Sequence, residues 1–170
     1  MFRRLRENGP ALLVPLAWTF VTAVHLDLAS EHALFVSNLV MATIVAVFTL
    51  LSWSEMADGV LLIWRRVLVV GFVVTTAGVA GFFVDSLSGT LFALSIVGWM
   101  VVPGVGLVET GRQVTRAPAI YLGGGALSIV GALVYVAGGT AIAGEWAAIL
   151  GLILVNIGQT AGILNAVYQY

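Results

Sequence analysis

Six long apolar stretches restrict this chain to one fold class. They run over residues 10–29, 33–51, 67–84, 90–108, 119–139 and 146–166. A bilayer hydrocarbon core of about 30 Å takes roughly 20 apolar residues per helix, and in oil a backbone amide must find its partner within the chain. Each stretch therefore reads as a membrane-spanning helix. Composition agrees: 61% of the residues are hydrophobic and 9% charged, against about 25% charged in a soluble domain. The connections are too short to fold separately in water, so residues 1–170 read as a single all-α transmembrane domain, a polytopic bundle of six transmembrane helices.

Orientation is read from arginine, because basic residues near short loops stay on the cytoplasmic side. Arg3, Arg4 and Arg6 precede the first stretch, Arg65 and Arg66 the third, and Arg112 and Arg116 lie between the fourth and fifth. With six crossings all seven fall on one side, while Asp27, Glu31, His32, Asp85 and Glu145 fall on the other. The expectation is a multi-pass protein of the cell membrane with N- and C-termini cytoplasmic. A cleaved signal peptide is the competing reading of residues 1–23, although the apolar run continues to Ala29. The use of Arg to the exclusion of Lys suggests a GC-rich prokaryotic genome. Residues 52–66, the longest inner connection, place Trp53, Met56, Val60 and Trp64 on one helical face; the segment reads as an interfacial amphipathic helix or as an ordinary loop in the aromatic belt.

Glycine is distributed unevenly, with 18 of the 20 at or beyond Gly71. Lipid tails are as apolar as leucine, so membrane helices associate through close approach at small residues. Stretches three to six are accordingly expected to form the packed core, with one and two applied more loosely. Gly124, Ser128, Gly131, Tyr135 and Gly138 form a stripe with 4, 3, 4, 3 spacing, and Gly151, Val155, Gly158, Gly162 and Asn165 form a second. A short turn over residues 140–145 lets the stripes face each other in an antiparallel hairpin.

Polar residues at membrane depth are few. Pro103 removes an amide donor and crowds the carbonyl of Trp99, so the fourth helix is expected to kink or open there. Asn156 and Gln159 stand three residues apart on the sixth stretch beside its glycines; Asn38 lies in the second, Thr75 and Thr76 in the third. Such groups serve either as interhelical hydrogen-bonding glue or as the lining of a polar path. At the inner face Arg65, Arg66, Arg112 and Arg116 are candidates for lipid head-group contacts, among Glu55, Asp58 and Glu109. His25 and Asp27, two residues apart, point in opposing directions on a helix and form no joint site.

Motif chemistry is absent. The chain has no Cys, which excludes disulfides, thiolate metal sites and Cys nucleophiles, and it carries no HExxH, GxSxG or Lys-containing phosphate loop. Asp58-Gly59 matches the opening of the membrane alcohol-phosphatidyltransferase signature, but Leu62-Ile63 stand where Ala-Arg should follow and the later Asp pair is missing. No cofactor, metal or catalytic residue is expected, and the net charge of −1 gives no basis for nucleic-acid binding. Three successive hairpins with Arg at the inner side resemble the small six-span proteins of the acid-resistance HdeD type, with the likeness carried by the fifth stretch and the Gly158-Gln159-Thr160-Ala161-Gly162 run; it transfers no site. The resulting expectation is a non-enzymatic accessory, scaffold or stress-response membrane component whose partners are membrane lipids and a homo-oligomer or another membrane protein. The alternative is a small transporter or channel for a neutral solute or lipid, using Pro103, Asn156 and Gln159.

Overall fold

A computed structural model describes residues 2–139 and 144–169. The fold is all-α, with no strand among the described residues. Six long helices follow in order: α1 (Phe2–His25), α2 (Glu31–Leu51), α3 (Gly59–Ala80), α4 (Ser88–Gln113), α5 (Pro118–Gly138) and α6 (Gly144–Gln169), with one 3-10 turn at Asp85–Leu87. Five of them contain segments long and apolar enough to cross a membrane, and α1 contributes a shorter apolar segment, Leu12–His25. The side chains of Arg3, Arg4 and Arg6 and most of the predicted 140–145 turn lie outside the described residues.

Local chemistry explains the boundaries. Ser30 caps α2 by accepting from the Ala33 amide at 3.2 Å, and Glu31 sits in the first turn, where the helix dipole favours an anion. Gly59 takes φ +52°, a left-handed conformation that costs glycine little, and turns the chain directly into α3. That placement shortens the expected 52–66 connection. Only residues 52–58 are a turn, while Trp64, Arg65 and Arg66 belong to the second turn of α3. Pro118 occupies the first turn of α5, where its missing amide costs nothing.

The helices pack in the spatial order α2, α3, α4, α5, α6, α1. The α3–α4 and α5–α6 pairs are hairpins as expected, but α1 and α2 do not form the third: α1 packs on α6 and α2 on α3. Neither α1 nor α2 has glycine within its apolar stretch, so neither offers the other a smooth face for close approach. Nor is α1 peripheral. Its Trp18 is 5% exposed and joins Met100, Ala132, Leu152 and Val155 in the apolar core.

The glycine stripes meet as the spacing predicts. A Cβ on Gly158 would lie 2.5 Å from the Gly124 carbonyl oxygen, and one on Gly131 would lie 2.7 Å from that of Gly151. Backbone thus touches backbone along α5 and α6, with no room for a methyl group. Elsewhere glycine makes space for large partners: Gly71 on α3 receives the Trp99 ring, and Gly162 on α6 receives Leu107. The outward faces carry large exposed apolar side chains such as Leu50, Val73 and Leu133, whereas Thr75, Thr110, Ser128 and Gln159 are buried. Small and polar groups inside with bulky apolar groups outside is the arrangement expected of a bundle solvated by lipid.

Candidate functional site

Helix α4 runs through Pro103 without interruption from Ser88 to Gln113, so it does not open there. Proline nevertheless leaves the carbonyl of Trp99, four residues earlier, without its helical donor. The missing donor comes from α6: Gln159 Nε2 donates to the Trp99 carbonyl at 2.9 Å. The same nitrogen donates to Ser128 Oγ on α5 at 2.9 Å and lies 3.3 Å from the Met100 carbonyl, while Ser128 donates to Met100 O at 2.7 Å. On the other side of the amide, Gln159 Oε1 accepts from Trp18 Nε1 of α1 at 2.9 Å. Trp99 carries the network onward by donating its indole N–H to Thr75 Oγ1 on α3 at 2.8 Å, and Thr75 in turn donates to Gly71 O.

One chain of hydrogen bonds therefore joins five of the six helices at the centre of the bundle. Gln159 is 2% exposed and Ser128 0%. With two N–H groups and a carbonyl all engaged, the carboxamide has no remaining capacity to donate. Cross-linked polar groups in a low-dielectric interior hold neighbours to one geometry, because a displaced member would be left unsatisfied.

The remaining candidates lie elsewhere. Asn156 is about 60° around α6 from Gln159 and faces a groove of about 340 Å³ between α1 and α6, lined also by Thr19, Thr22, Ala23, Ile153 and Ile157. Its Oδ1 accepts from Thr160 at 3.1 Å. Asn38 donates to its own helix at Leu34 O, with its oxygen turned to the meeting point of Gly78 and Ser95. The structure thus unites Pro103 with Gln159 and separates both from Asn156 and Asn38.

The arginines of α3, α4 and the 114–117 connection lie at one end of the bundle. Arg65 stacks over Trp53 at 4.6 Å and donates to its carbonyl at 3.2 Å, tying the 52–58 turn to α3. Arg112 pairs with Glu109 at 2.6 Å, both side chains well exposed, a geometry worth little in water. Arg66 and Arg116 are exposed. At the opposite end a cleft of about 540 Å³ is bordered by His25, Val97, Tyr135, Trp146 and Ile149. His25 Nδ1 lies 2.9 Å from the Val21 carbonyl, which can only accept, so Nδ1 carries a hydrogen, and Nε2 lies 2.9 Å from the Tyr135 hydroxyl, within hydrogen-bonding distance.

No family model matches the chain, and no curated protein or solved structure shows significant similarity to it. Trp18 was the residue that sequence reasoning overlooked. Its signal was position: tryptophan favours the membrane interface, yet Trp18 and Trp99 fall well inside their stretches, where an indole N–H has to find an acceptor among protein groups.

Proposed function

We propose that this integral membrane protein is a non-enzymatic accessory or scaffold component, of stress-response type, in a prokaryotic cell membrane, acting through contacts with lipid, with itself or with another membrane protein. The Arg-bearing end and both termini face the cytoplasm, where Arg65, Arg66, Arg112 and Arg116 meet anionic head groups. One observation carries the reading. The buried carboxamide of Gln159 is consumed in holding helices together, with its donors on Trp99 and Ser128 and its acceptor on Trp18.

The alternative, passage of a small neutral solute or a lipid, requires a continuous polar route past Pro103, Gln159 and Asn156. The experiment that separates them is solute-driven swelling of liposomes containing the purified protein, with glycerol and urea as probes. Swelling at the rate of protein-free liposomes is the expected result; acceleration that scales with protein content, and is lost in Gln159→Leu or Asn156→Leu, overturns the proposal.

A further inference from the structure

We infer that two copies of this chain pair in the membrane through the groove between α1 and α6, with Asn156 of each hydrogen-bonded to Asn156 of the other. Asn156 is the thirteenth of the 26 residues of α6, which places it at the middle of the span. There its carboxamide makes one side-chain hydrogen bond, to the Thr160 hydroxyl. Whichever way the amide is turned, either its N–H₂ or its oxygen is left without a partner among the described residues. The nearby hydroxyls spend their hydrogens within α1, Thr19 donating to Pro15 O and Thr22 to Trp18 O, and neither is hydrogen-bonded to Asn156. An unsatisfied amide at the bilayer centre is costly.

The location of the groove narrows the choice of occupant. Acyl chains bear no hydrogen-bonding atom at mid-depth, so lipid cannot complete Asn156; the missing group has to arrive on another transmembrane helix. A second copy supplies it without coincidence. A two-fold axis along the membrane normal brings identical residues to identical depth, and a carboxamide is both donor and acceptor, so two Asn156 side chains close two hydrogen bonds at once. The surroundings allow the approach. Ala23 leaves the α1 wall low, and Ile153 and Ile157, 45% and 55% exposed, stand as apolar knobs beside the amide. Membrane helices associate through this combination of packing and polar contact.

This inference rests on the reading of the protein as a component that acts by contact, and its test is separable from the flux assay. The chain has no cysteine, so single-cysteine variants report cleanly. In native-like membranes, Ile153→Cys and Ile157→Cys are expected to form oxidant-dependent dimers, whereas Val73→Cys on α3 and Leu133→Cys on α5, 62% and 68% exposed, stay monomeric. Dimer fraction measured by energy transfer across a range of protein-to-lipid ratios should show association roughly five- to thirty-fold weaker in Asn156→Leu and largely retained in Asn156→Gln. Unchanged thermal unfolding of Asn156→Leu shows that the loss lies at the interface, and the cysteine pattern stands by itself if that variant does not fold. A monomer at every lipid ratio, equal association with and without Asn156, or cross-linking through Val73 or Leu133 instead overturns the pairing. Solute flux by a dimer overturns the functional reading alone, and a flux-silent monomer overturns the pairing alone.

Discussion

Replacing Gln159 by leucine removes the hub of the interior network while keeping an apolar side chain of similar length. Two groups then lose their hydrogen-bonding partner: the Trp18 indole N–H, and the Trp99 carbonyl already deprived of its helical donor by Pro103. Ser128 retains its bond to Met100. Each orphaned buried group costs about 1–3 kcal/mol, and hydrogen bonds in membranes fall at the low end because the unfolded helices also find partners. The sum is a destabilisation of about 2 kcal/mol, measured by reversible unfolding in lipid–detergent micelles with tryptophan fluorescence as the readout. The mechanism makes a sharper demand on a second substitution. Pro103→Ala restores an amide at residue 103 that can donate to the Trp99 carbonyl, so it should be more favourable by about 1 kcal/mol in the Gln159→Leu background than in the native chain. Additive effects of the two substitutions, or a loss below about 0.5 kcal/mol for Gln159→Leu, would refute the argument that Gln159 replaces the donor that proline removes.

Three further outcomes are expected. Gly158→Ala directs a methyl group onto the Gly124 carbonyl, which as helix backbone cannot yield; thermal unfolding in detergent should register a loss of about 1–3 kcal/mol. Gly123→Ala, on the same helix pair but with nothing within 4 Å of the new Cβ, should instead stabilise by roughly 0.5–1 kcal/mol through helix propensity, and equal losses at the two sites would contradict the seam. Thr75→Val removes the acceptor of the Trp99 indole and should cost about 1 kcal/mol, with a change in tryptophan emission; an unaltered spectrum and stability would count against the continuity of the network. Finally, compartment-specific reporters inserted at residues 86 and 115 should be active on opposite sides of the membrane, that at 115 in the cytoplasm; activity in one compartment for both would contradict the six-crossing orientation.

Much of the architecture was legible from the apolar runs and the glycine spacing. Both properties are local: a stretch of about 20 apolar residues has to form a helix in oil wherever its neighbours lie, and a 4, 3, 4, 3 run of small residues forms a smooth stripe whether or not anything covers it. The positions of Gly124, Gly131, Gly151 and Gly158 therefore make the α5–α6 contact legible in the sequence. Helix ends were less legible. The α3 helix starts at Gly59, well before its apolar run, because Arg65 and Arg66 can sit in a helix while their heads reach the interface, and one of them folds back over Trp53.

The candidate polar residues were visible as a set but not as a site. Asn156 and Gln159 are three residues apart and chemically alike, yet one lies in the core and the other beside a lipid-facing groove; 60° of helix rotation separates those environments, and which one faces inward depends on where α1 settles. The sequence by itself determined that the chain is a bundle of apolar helices with its arginines at one end and small-residue stripes on the last two, since each of these follows from the solvent preference or size of residues taken one helix at a time. The tertiary structure alone decided that α1 docks on α6 instead of α2, and that a glutamine on the last helix completes the carbonyl a proline frees on the fourth. Those pairings depend on which donors and acceptors come within 3 Å of one another across helices distant in sequence, a relation that no single helix encodes.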